Sequence, residues 1–155
     1  MPIYTSGLLI ANTEWRQFDT NDLSRVDSIG SLLYERSYGS GTGYAEINTF
    51  WHDVSTITGS KTVDLWSLPT TLFGNPAIYS FSGGNVKAIQ VANSGTGLLT
   101  VSLPFPNYSG IISVPTSGSL LLSSMFGWAV TTGNRNIILT HGGVSTYLIS
   151  IIGKV

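Results

Sequence analysis

Residues 86–103 read VKAIQVANSGTGLLTVSL, and this stretch decides the fold class. Val86–Ala92 places Val86, Ala88 and Ala92 in one phase and Ile89 and Val91 in the other. Leu99, Val101 and Leu103 then repeat with period two. Strict alternation over short runs is the signature of β-strands, whose successive side chains point to opposite faces. Between the runs lies Asn93-Ser94-Gly95, with further glycine at Gly97. Asn and Gly tolerate positive φ, so they mark a turn.

The same grammar extends outward from this stretch. Thr62–Leu68, Ala77–Phe81, Gly110–Val114, Ser119–Leu122, Trp128–Thr131, Asn136–Thr140 and Thr146–Ile152 read as further strands. Gly83-Gly84-Asn85, Pro104-Phe105-Pro106-Asn107, Pro115-Thr116-Ser117-Gly118, Gly133-Asn134 and Gly142-Gly143 separate them. Nine short strands within residues 61–155 predict an all-β fold, and a jelly-roll-like β-sandwich is the most economical arrangement.

Residues 1–60 differ in texture. Leu23, Val26, Ile29, Leu32 and Leu33 recur at spacings of three and four. That spacing predicts a short helix near Asp22–Tyr34, with Asp19 or Asn21 as its cap. Gly30 weakens that helix by up to ~1 kcal/mol relative to Ala. Residues 37–43 then read as a linker or loop, and Tyr44–Trp51 as a first strand. The expected organisation is an N-terminal arm over residues 1–60 followed by a β-sandwich domain over residues 61–155.

Charge is scarce and unevenly placed. Charged residues make up 10% of the 155-residue chain, against roughly 25% in an average domain. All eight acids lie in the first 64 residues, and residues 65–155 hold only Lys87, Arg135 and Lys154 as formal cations. With a net charge of −1 there is no basic stripe to attract nucleic acid. Cysteine is absent, so disulfides and thiolate metal sites are excluded. No apolar stretch is long enough for a membrane helix, and most candidate strands are short for an outer-membrane barrel. The apolar run Leu8–Ala11 has no basic residue before it and is too short for a secretory signal. Neither a membrane nor a nucleic acid is expected as a partner.

Few residues suit catalysis. His52-Asp53 is the one adjacent His–carboxylate pair, and no candidate nucleophile lies beside it. Two histidines without ligand spacing do not make a metal motif. Ser40-Gly41-Thr42-Gly43 lacks the Lys-Ser/Thr ending of a phosphate loop. No catalytic residue, metal or cofactor is therefore expected. The aromatics are better candidates, since Trp and Tyr serve both cores and contact surfaces. Trp51, next to His52-Asp53, is the candidate ligand or interface aromatic. Trp15, Arg16 and Phe18 are the candidate partner contacts, because interfaces favour Trp, Arg and Phe.

The order of pieces over residues 61–155 resembles small structural proteins of tailed bacteriophages. A lysine-bearing strand (Val86–Asn93) is followed by a glycine turn and a leucine strand (Gly95–Val101). Gly118–Leu122, then Gly127-Trp128-Ala129-Val130 and Asn136–Thr140 come next, and the Ile-rich Tyr147–Gly153 closes the series. The resemblance implies a β-sandwich capsid cement, or decoration, protein. Such a subunit binds the junctions of the major capsid protein, commonly as a homotrimer. It would be made in the host cytoplasm and end on the virion's capsid surface. A carbohydrate-binding lectin-like module and a phage tail or neck protein are the alternatives.

Overall fold

The computed structural model describes residues 7–18, 27–72, 75–106 and 110–155, with side chains from Ser37 onward, Leu72 excepted. Eleven strands and no helix occur among them. They are β1 (Gly7–Phe18), β2 (Asp27–Ser40), β3 (Glu46–Ile47), β4 (Thr49–Asp64), β5 (Leu68–Leu72) and β6 (Asn75–Tyr79). Then follow β7 (Asn85–Asn93), β8 (Leu99–Leu103), β9 (Gly110–Val114), β10 (Ser119–Ala129) and β11 (Asn136–Lys154).

The all-β expectation holds, and the helix does not. Asp27–Tyr34 lies in β2, which pairs antiparallel with β1 from Gly7↔Tyr38 to Phe18↔Asp27. Asp22–Val26 fall outside the described residues. The three-and-four spacing of Ile29, Leu32 and Leu33 is weak evidence beside Ser28, Gly30 and Ser31, which are poor helix formers. A neighbouring strand that satisfies the backbone ladder outweighs it.

Strands β4 and β11 form the spine. They pair from Asn136↔Asp64 to Gly153↔Thr49, so β4 fills one edge of β11 along its length. The other edge is shared. Near its start β11 pairs with β8, at Ile138↔Ser102 to His141↔Leu99. Near its end it pairs with β7, at Tyr147↔Asn93 to Lys154↔Asn85. Strand β9 extends the first lobe beside β8, and β10 extends the second beside β7.

The spine bends between the lobes. Gly142 and Gly143 have no partner on β4, where His141 faces Gly59 and Val144 faces Thr58. Sequence reading treats this Gly-Gly as a separator between two strands; it is a bulge within one. Glycine supports the bend because Gly59 sits at φ +78°. The insertion is even, so the period-two phase survives it. Ile137, Leu139 and His141 before the bulge, and Ser145, Tyr147, Ile149 and Ile151 after it, are all buried. The degree of folding back is visible in one ion pair. Asp53 and Lys61 are eight residues apart, roughly 26 Å if extended, yet Lys61 Nζ lies 2.9 Å from Asp53 Oδ2.

The concave side of this bent ribbon encloses one core. Ile57, Val63, Val86, Ile89, Val91, Leu99, Val101, Val114, Trp128, Leu139 and Ile149 belong to it. Fully burying such a side chain contributes roughly 1.5–3 kcal/mol. Asn93, itself buried, joins the lobes across the open end of the fork. Its amide nitrogen donates to the carbonyls of Gly97 (2.8 Å), Val114 (3.1 Å) and Pro115 (3.2 Å). Its oxygen accepts from Gly95 N–H and from the Ser145 hydroxyl.

Two further expectations shift. Thr62–Leu68 is not one strand. Asp64 Oδ1 accepts the Trp66 N–H at 2.9 Å and the chain turns there, before β5 begins at Leu68. Ser119–Leu122 and Trp128–Thr131 are not two strands. Strand β10 runs through Ser119–Leu122 to Trp128 and Ala129, with a register shift between Ser123 and Trp128, and Val130 and Thr131 lie beyond its end.

Candidate functional site

Strand alternation separates His52 from Asp53. His52 points outward and is exposed, with its ring stacked on Phe50 at 5.4 Å. Asp53 points to the concave side. There its Oδ2 accepts from Lys61 Nζ at 2.9 Å and from the Tyr147 hydroxyl at 2.6 Å. The Lys61 ammonium also sits 5.2 Å from the centre of the Tyr147 ring. Burial alone pushes the Asp53 carboxyl upward, but the bonds from Lys61 and Tyr147 outweigh it and hold the group below its ordinary range. Burial likewise opposes the Lys61 charge, yet the Asp53 carboxylate holds that ammonium above its usual value. Burial pushes the Tyr147 hydroxyl up, and Asp53 adds to this.

A charge-bearing carboxylate already engaged by two donors suits a structural clasp. Its position supports that role, because β4 is paired only with β11 among the described residues. Inward-pointing charges and kinks are ways of stopping a sheet edge from recruiting stray strands. A cavity of about 170 Å³ opens beside the clasp, lined by Trp51, Asp53, Lys61, Ser67, Leu68 and Pro69. Trp51 forms its buried wall and donates its indole N–H to the Pro69 carbonyl at 2.8 Å.

A second recess, of about 410 Å³, follows the spine's bulge between Thr96-Gly97-Leu98 and His141–Val144. His141 is buried, and its Nδ1 accepts the Gly143 N–H at 3.0 Å. In the neutral ring this leaves the proton on Nε2, which has no hydrogen-bond partner in the structure and lies beneath Gly97. His52 faces Ser150 and His141 faces Gly59 on the spine, so the two histidines do not converge. Among the described residues, no group of three or more His, Asp or Glu is placed to hold a metal ion.

The glycine loop after β2 is filled by the protein itself. The Glu46 carboxylate accepts the Gly43 N–H at 2.6 Å, and a Cβ on Gly41 or Gly43 would collide with that carboxylate. An anionic ligand would meet like charge there.

Lys87 is the functional-looking residue that sequence reading passes over. It is 1% exposed, and its hydrogen-bond partners are backbone carbonyls: Tyr44 at 2.7 Å, Phe126 at 3.1 Å, and Met125. Burial lowers its basicity, and the nearby Lys154 charge lowers it further. Directly beside it, the rings of Tyr44 and Phe126 meet edge-on at 4.8 Å. Both are solvent-facing, at 55% and 76% exposure. The available signal was a lone lysine inside an otherwise uncharged strand.

Trp15, Arg16 and Phe18 lie on β1, opposite Gly30, Ile29 and Asp27 of β2; their side chains fall outside the described residues. These three positions lie at the end of the ribbon where Phe18 pairs with Asp27. No protein-family model, curated protein or solved structure matches this chain.

Proposed function

We propose that this chain is a non-catalytic structural subunit of a tailed-bacteriophage particle. In this reading it is a capsid cement protein, a jelly-roll-like sandwich that binds junctions of the major capsid protein as a homotrimer. The order of motifs over residues 61–155 supports it, as does the low charge, which leaves little repulsion between closely apposed copies.

The β1–β2 ribbon is the observation that carries the reading. Its twelve rungs run within the ribbon, and among the described residues β2 joins β3 at Gly39↔Glu46 and Ser40↔Ile47 alone. A two-stranded ribbon is marginal in water by itself. A partner surface under the ribbon would add burial to it. Three such arms on one trimer would multiply effective affinity without any further contact. Because the clamp would bind the assembled shell, it would stabilise that shell by mass action.

The lectin-like alternative draws less support. Trp51 and Trp128 are buried, and the exposed Tyr44–Phe126 pair is set at 73°, which is not a flat platform for a sugar ring. Light scattering after size exclusion tests the assembly. A mass near three times 16.5 kDa supports the preassembled clamp, and a strict monomer removes it. Cosedimentation with undecorated phage heads tests the arm. The full chain should bind, and a chain lacking Met1–Tyr34 should not; retained occupancy after truncation rejects the arm, and binding to tails alone moves the protein to the tail.

A further inference from the structure

We infer that Lys87 is a latch that seats the base of the β1–β2 ribbon on the body of the protein. Its consequence for target binding rests on the proposed function; the seating itself does not.

The argument begins with two coincident bulges. On β7, the ladder to β11 passes from Val86↔Gly153 to Ala88↔Ile152 and skips Lys87. The ladder to β10 passes from Val86↔Trp128 to Ala88↔Ser123 and skips it again. On the β10 side, four residues from Ser124 to Gly127 are extruded opposite this one position. Gly127 adopts φ +81°, and a Cβ there would press on the Val86 carbonyl and the Lys87 side chain. The extruded carbonyls of Met125 and Phe126 have lost their ladder donors, and the Lys87 ammonium replaces them.

An ammonium has three N–H donors. Two go to β10, and the third goes to the carbonyl of Tyr44, in the loop between β2 and β3. The buried charge therefore has its full set of donors satisfied only when that loop is seated. Undocking the loop would leave a buried cation one acceptor short, which is costly away from water. Neighbouring contacts act in the same direction. Tyr38, 2% exposed at the base of β2, donates its hydroxyl to the Lys87 carbonyl at 3.4 Å. Lys154 Nζ donates to the Thr42 carbonyl at 2.7 Å, from the exposed side. The rings of Tyr44 and Phe126, two of the residues whose carbonyls accept from Lys87, also meet edge-on at 4.8 Å.

Hydrogen–deuterium exchange on the full chain tests the latch. Lys87→Met keeps the length and packing of the stem and removes the three donors. Exchange over residues 38–47 and 124–127 should rise at least about tenfold, while Ile137–Ile151 stay protected. Lys154→Met, acting from the exposed side, should give a smaller rise confined to residues 41–47. A folded Lys87→Met chain with unchanged exchange over residues 38–47 overturns the inference. Should that variant not fold, the native chain decides. NMR scalar coupling across the hydrogen bond from Lys87 Nζ to the Tyr44 carbonyl is expected, and its absence overturns the latch. Loss of phage-head binding is a separate readout, so a seated ribbon that fails to bind heads rejects the proposed function and leaves the latch standing.

Discussion

Two antiparallel ribbons in this protein have the same backbone chemistry and different reasons to persist. The β1–β2 ribbon pairs from Gly7↔Tyr38 to Phe18↔Asp27, and β4–β11 pairs from Asn136↔Asp64 to Gly153↔Thr49. The second bends at Gly59, takes β8 and β7 onto its other edge, and buries Ile137, Leu139, Tyr147, Ile149 and Ile151 on its concave side. Among the described residues the first adds two rungs, to β3. Net hydrogen-bond stabilisation is modest because water competes for the same groups. What holds the second ribbon beyond its ladder is the apolar area that its bend encloses.

The sharpest break between them should appear in hydrogen exchange. Amides of β4–β11 should open near the global unfolding free energy, and those of β1–β2 at least about 10³-fold more often. Equal protection in the free protein would remove the contrast. Ile149→Ala attacks the enclosed core directly and should cost about 2–5 kcal/mol in urea denaturation. Gly59→Ala forces a side chain into a left-handed conformation at the bend, with nothing within 4 Å to collide with. Strain alone then sets the cost, about 1–2 kcal/mol. A smaller loss would mean that the bend relaxes.

Asp53→Asn gives the smallest effect, about 1 kcal/mol at neutral pH, because the Asp53–Lys61 pair is partly solvated. Its signature is in the pH dependence. The folded Asp53 pKa lies below its unfolded value, so its stabilisation is present above the unfolded pKa and fades as pH falls through the folded one. The raised Lys61 pKa works in the opposite sense, with stabilisation held below its unfolded pKa and lost as pH rises through the folded value. The Asn variant should flatten the acid limb of a stability–pH curve. An unchanged acid limb would show that the clasp does not hold the bend.

Much of the β grammar was legible because alternation and turn chemistry are local. Val86–Ala92 and Leu99–Leu103 appear as strands close to where they were read. Gly142-Gly143 was misread for a physical reason. A glycine pair that reverses a chain and one that bulges a continuous strand have the same sequence, and only the partner on β4 distinguishes them. The Ser124–Gly127 bulge in β10 hid in the same way. The helix expected near Asp22–Tyr34 failed because apolar spacing over one segment cannot register a strand, β1, that lies earlier in the chain.

The candidate sites divide along the same line. Trp51 stood out by being next to His52-Asp53, yet strand alternation turns Trp51 and Asp53 inward and His52 outward. Lys87 did not stand out, because its importance comes from carbonyls 38, 39 and 43 residues away in sequence.

The sequence by itself determined the all-β class, the low charge, the absence of thiol chemistry and most strand positions. These follow from composition and from periodicities that a short window contains. Only the tertiary structure decided that β4 and β11 form a single bent spine, that Asp53 meets Lys61 across the bend, and that a lone lysine closes a cage of backbone carbonyls. Each depends on which distant segments share a ladder, and burial of a common core settles that globally.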